Sequence, residues 1–118
     1  MNPSVKISKY LESPEGWHSI TKLLEETLVA EGVVVHQIKE KFGGLRCYAH
    51  YPDSISDTTL EELERLIGVA EIACQSTCHI CGKQGGKVVV GGWVSVLCDE
   101  HAQEKKERVN GRTYMVWD

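Results

Sequence analysis

Four residues in the last third of the chain have the types and spacing to grip one metal ion: Cys78, Cys81, Cys98 and His101. Cys78-His79-Ile80-Cys81-Gly82 is a CxxCG turn, and Cys98-Asp99-Glu100-His101 is a second pair at the same spacing. Zinc takes thiolate and imidazole ligands in a tetrahedron, and two short-spaced pairs on two turns supply four of them. Gly82 lets the chain turn tightly while backbone N–H groups approach a thiolate. The expected cofactor is therefore one structural Zn2+. Four protein ligands leave no position for water or substrate, which argues against an enzyme. Glu100 adjoins His101 but points elsewhere on a helix. The histidine–x–glutamate order of zinc deaminases is missing. A zinc-dependent nuclease is the remaining catalytic alternative. An iron–sulfur centre fits less well because His101 stands where a thiolate would. The bland alternative is a set of free thiols and a surface histidine. Cys74 lies on an apolar helical face and reads as core, Cys47 reads as packing, and His79 reads as exposed.

These ligands need elements to carry them. Val88-Val89-Val90, Gly91-Gly92 and Trp93-Val94-Ser95-Val96-Leu97 read as a hairpin with a two-residue turn. From Asp99 to Arg108 the composition is helical, with acids early and bases late. Turn, hairpin, then a helix whose first turn carries ligands resembles the treble-clef class of zinc fingers over roughly residues 76–108. Trp93 is expected to cover the metal or to pack on the first half of the chain.

Upstream, Ser13-Pro14 reads as a helix start, with Ser13 as N-cap. Trp17, Ile20, Leu23, Leu24, Thr27 and Leu28 recur at helical steps up to about Ala30, and Gly32 suits a C-terminal cap. Val33 to Tyr51 reads as a hairpin turning at Gly43-Gly44, with Lys41 opposite Arg46. One face then carries His36, Ile38, Phe42, Leu45, Cys47, Ala49 and Tyr51 towards the core, with Glu40 needing a partner. The other carries Gln37, Lys39, Lys41, Arg46, Tyr48 and His50. Thr58 and Glu61 form a capping box for a second helix over 59–74. The tail, 109–118, reads as an Asn110-Gly111 turn and a strand. The expected architecture is α+β in a single domain, 1–118: a helix–hairpin–helix part over 13–75, a zinc-finger part over 76–108 and a tail strand.

Length and composition agree with one domain. The 118 residues carry a net charge of -4, which argues against a general nucleic-acid binder without excluding a local basic patch. No run approaches the length of a membrane span, and the polar start lacks the apolar core of a signal peptide, so a cytoplasmic location is expected. Five cysteines are an awkward number for a disulfide framework. Lys39, Lys41, Arg46 and Tyr48 are the candidate partner-binding residues. Opposed like charges are unfavourable unless an anion neutralises them or both side chains splay into water.

The run Gln37-Ile38-Lys39-Glu40-Lys41-Phe42-Gly43-Gly44-Leu45-Arg46-Cys47-Tyr48, with TCxxCG, GW and LC downstream, resembles a family of small phage and prophage proteins. Its relatives commonly read KEKFGGLR followed by two aromatics and end on a cysteine pair. Here Cys47 replaces the first aromatic and His101 the last cysteine. The resemblance implies a phage accessory protein in the host cytosol. By analogy it implies binding to a host protein, such as inhibition of a defence system of the CRISPR kind. Nucleic-acid binding through the basic hairpin face is the alternative.

Overall fold

The computed structural model describes residues 8–108 and 114–117. Two 3-10 turns, Lys9–Glu12 and Glu15–Trp17, lead into helix α1, His18–Ala30. Strands β1, Val34–Lys41, and β2, Gly44–His50, make an antiparallel hairpin, followed by helix α2, Asp57–Cys74. Strands β3, Gly86–Val90, and β4, Trp93–Leu97, make a second hairpin, and helix α3 spans Asp99–Arg108. Strand β5, Tyr114–Trp117, pairs with the free edge of β3, giving the order β4-β3-β5. The class is α+β. The expected Asn110-Gly111 turn lies outside the described residues.

Helix α1 starts later than its sequence signals predict. Ser13 is not its N-cap: the side chain is buried, donating to the Tyr10 carbonyl at 2.5 Å and meeting Thr21 Oγ1 at 2.9 Å. Thr21 is fully buried, while Leu23, expected in the core, is 62% exposed. The buried stripe is thus Trp17, Thr21, Leu24 and Leu28, one residue per turn. The helix ends as expected at Gly32, whose N–H donates to Val29 while Val33 N–H reaches back to Leu28. That pair of bonds, with Val33 and Leu28 both buried, is a Schellman stop. Helix α2 is capped by Ser56, which accepts from Thr59 N–H at 3.1 Å, rather than by the Thr58/Glu61 box. Its Leu63, Ala70 and Cys74 join Ile38, Leu45 and Val96 in the main core.

The first hairpin turns one residue earlier than expected. Lys41 pairs with Gly44, Lys39 with Arg46 and Ile38 with Cys47, so Phe42-Gly43 forms the turn and Lys41 does not oppose Arg46. Phe42 sits at φ 54 and is 67% exposed, not in the core. Two interactions hold this register. Gly43 N–H donates to the Glu40 carboxylate at 2.8 Å, which gives Glu40 its partner. Gly43 is also buried against Val94, where an added Cβ would come within 2.8 Å of Val94 Cγ1. A bulge between Val35 and Gln37 then turns Val35 inward and leaves His36 exposed.

The second hairpin turns at Gly91-Gly92 as expected, with Val90 opposite Trp93. Gly91 has φ +55 but nothing within 4 Å of an added Cβ. The two glycines therefore separate backbone strain from steric contact. In urea denaturation of the metal-loaded chain, Gly91→Ala should cost about 1–2 kcal/mol from the left-handed backbone alone. Gly43→Ala should cost about 2–4 kcal/mol, because Val94 must also move. Equal losses would show that the hairpin tip does not bear on β4.

Candidate metal centre

Cys78, Cys81, Cys98 and His101 converge. Their ligand atoms all lie within 4.8 Å of one another. Cys78 and Cys81 sit on a turn closed by Gly82 N–H to the Cys78 carbonyl at 3.1 Å and Cys78 N–H to Lys83 at 2.7 Å. A Thr77–Gln84 bridge closes its base. Cys98 follows the last residue of β4, and His101 lies in the first turn of α3. Helical spacing brings His101 Nδ1 within 3.2 Å of Cys98 Sγ and 3.6 Å of Cys78 Sγ, and Cys81 Sγ lies 3.7 Å from Cys98 Sγ. Tetrahedral zinc with bonds of about 2.3 Å to sulfur and about 2.1 Å to nitrogen requires edges of roughly 3.6–3.8 Å. Two of these three edges match, and the third is a few tenths short.

The surroundings suit thiolates. Ile80 N–H points at Cys78 Sγ (3.4 Å) and His101 N–H at Cys98 Sγ (3.5 Å). Burial pushes the Cys78 thiol up, but N–H groups of Cys81, Cys98 and Ile80 and the His101 ring outweigh it and hold it down to about 6. The bonds from Cys78 and Cys98 raise the His101 ring. At Cys81 the Lys83 N–H acts downward, but desolvation and the neighbouring sulfurs of Cys98 and Cys78 prevail and raise it. Negative charge is thus favoured at Cys78, and a cation bound among the sulfurs would be needed to draw the proton from Cys81 as well. His101 Nε2 faces Glu104 at 3.6 Å, the outward carboxylate that commonly orients a ligating imidazole.

Cys74 and Cys47 stay out of the cluster. Cys74 is fully buried in the main core and Cys47 packs beside it. Desolvation pushes Cys74 up to about 12; the same effect, with Glu71 and Glu25 nearby, pushes Cys47 up to about 11.

His79 is half-buried, contrary to its expected exposure. Its ring lies edge-on to Trp17 at 4.7 Å, and Nε2 accepts from Val96 N–H at 3.3 Å. Desolvation lowers its pKa and so favours the neutral ring this bond requires. Trp93, expected to cover the metal or to pack on the first half of the chain, is 78% exposed and does neither. Trp17 packs against the cysteine turn instead: it is fully buried, and its Nε1–H donates to the Thr77 carbonyl at 2.8 Å. Trp17 was legible in the sequence only as a helical core residue. The role of Gly16, whose N–H donates to the His79 carbonyl at 2.7 Å, left no signal there.

The four candidate partner-binding residues also come together. By strand alternation Lys39, Lys41, Arg46 and Tyr48 share the outward face of the β1–β2 hairpin. Among the described residues no helix is long and apolar enough to cross a membrane. No protein-family model matches the chain, and no curated protein or solved structure is significantly similar to it.

The two thiol populations should separate chemically. After chelation at pH 8, iodoacetamide should label exposed Cys81 first and Cys78 and Cys98 as the emptied site opens, while Cys47 and Cys74, packed in the main core, stay unlabelled until denaturant is added. Peptide mass spectrometry reads this directly. Early labelling of Cys74 would place it among the accessible metal-binding thiols.

Proposed function

We propose that this chain is a zinc-structured binding protein, in which the ion builds a surface and takes no part in a reaction. One observation carries the reading: three thiols and an imidazole from two separate turns lie within 4.8 Å of one another. Such a soft set suits zinc, and four protein ligands fill its tetrahedron. The order of a cysteine turn, hairpin β3–β4 and helix α3 supports a treble-clef-like arrangement. If zinc is held, Cys78, Cys81, Cys98 and His101 would hold it, with Glu104 steadying the imidazole.

The KEKFGGLR likeness supports a phage-type accessory role in the host cytosol, such as inhibition of a defence system. On that likeness alone the partner is a host protein. The chemistry of the hairpin face favours a different partner class.

Purified protein should hold one zinc per chain by elemental analysis after dialysis. Cobalt substitution should give the visible bands of a tetrahedral thiolate-rich site. Cys81→Ser and His101→Ala should each weaken zinc retention at least about tenfold and lower the melting temperature. Lowering the pH from 7.5 towards 5 should release the ion, because protons compete for every ligand. A chain without bound metal, or a cobalt spectrum showing water as a ligand, would sink the structural-zinc reading.

A further inference from the structure

We propose that the outward face of the β1–β2 hairpin binds single-stranded nucleic acid, an inference that rests on the binding-protein reading above. In a chain of net charge -4 this face carries no carboxylate. Alternation places Gln37, Lys39, Lys41, Arg46, Tyr48 and His50 on it, while Glu40 is turned inward beside Leu45. Lys39 directly opposes Arg46, and their side chains part, Lys39 over the Tyr48 ring and Arg46 towards Gly44, so two cations are spread along one face. Among the described residues none of the three cations is ion-paired to a carboxylate. Arg46 reaches towards the turn over Gly44, where an added Cβ would stand 3.7 Å from its Nη1. The guanidinium thus lies along the strand beside Lys41.

Aromatic rings alternate with this charge. Lys39 Nζ lies 5.8 Å from the Tyr48 ring centroid, and Lys41 Nζ lies 5.6 Å from that of Phe42. Tyr48 is 46% exposed and Phe42 67%. An acidic peptide would use the cations and leave the rings idle. Duplex DNA hides its base faces. A single strand uses both features, with phosphates on the lysines and arginine and unpaired bases stacked on the rings. Phosphate contacts and stacking are available from single-stranded DNA and RNA alike.

Fluorescence anisotropy with labelled 20-mers of dT and of rU tests this, on protein whose zinc content has been measured. Three phosphate contacts predict a log–log salt slope of about -2, so affinity should fall about 15-fold between 50 and 200 mM KCl. Arg46→Glu and Tyr48→Ala should each weaken binding at least about fivefold. Their melting temperatures should match the parent, as should binding by Glu62→Gln on α2. The sugar that binds more tightly identifies the source. Several results would overturn the inference: no binding by zinc-loaded protein at 50 mM KCl, tighter binding of a 20-base-pair duplex, full displacement by polyglutamate at equal charge, or unchanged binding by Arg46→Glu. Single-strand binding by a chain holding no zinc would uphold this inference and sink the zinc reading. Intact zinc without binding would do the reverse.

Discussion

The structure depends on a close backbone approach between the segment before α1 and the cysteine turn. Gly16 N–H donates to the His79 carbonyl at 2.7 Å. A Cβ at Gly16 would overlap the Cys78 carbonyl oxygen and come within 2.8 Å of Gly82 N. Any side chain there would force the two segments apart. The next residue, Trp17, fills the main core and still hydrogen-bonds Thr77, 60 positions away. His79 completes the junction by donating its N–H to the Val96 carbonyl and accepting the Val96 N–H on its ring. The cysteine turn is therefore stitched on one side to the helical part and on the other to β4.

That junction shows what an ion held by the four candidate ligands would contribute to a chain of this size. A chain of 118 residues buries only about two-thirds of its unfolded surface on folding, so a cross-link of chain segments matters. The second cluster of buried residues is small: Cys78, Val88, Val90, Leu97 and Cys98, with Ala102 against it. Two of its five buried members are themselves candidate ligands. Without a cation their sulfurs simply crowd the His101 ring, Cys98 Sγ at 3.2 Å and Cys78 Sγ at 3.6 Å. With one, the same crowding becomes coordination, and the turn that holds Gly16 and Trp17 is fixed from below.

The sequence was most legible where one residue type has one use. Paired cysteines at CxxC spacing, the Gly91-Gly92 turn and the apolar stripe of α2 each point to one local structure, and those structures are present. It was least legible where tertiary contacts choose between near-equal local options. Gly43-Gly44 is the better isolated turn, since both residues tolerate positive φ. Phe42-Gly43 prevails because Glu40, three residues away, supplies an acceptor and Val94, distant in sequence, fills the space a Cβ would need at Gly43; the second fact is not local. Ser13 and Thr58 look like caps because short polar side chains seek orphan N–H groups. Ser13 finds Thr21 instead, and Ser56 supplies the cap expected of Thr58. His79 looks exposed in a turn, yet Trp17, distant in sequence, buries it.

The displaced hairpin turn links the metal half to the hairpin face. Had the turn fallen at Gly43-Gly44, Phe42 would point into the core and Lys41 would oppose Arg46. In the observed register Phe42 stands in solvent beneath the Lys41 ammonium. Lys41 opposes a glycine, and the Arg46 guanidinium occupies the room this leaves. Val94 and Val96 hold that register from β4, and β4 runs directly into Cys98. A cation bound at Cys98 and His101 would thus fix the strand against which the hairpin tip rests. It would shape the exposed face through three short steps: ligand to strand, strand to Gly43, and Gly43 to the residues flanking the turn. The first and last steps run along the chain and the middle one is a packing contact with little room to give, so an ion held there would bear on what the surface presents.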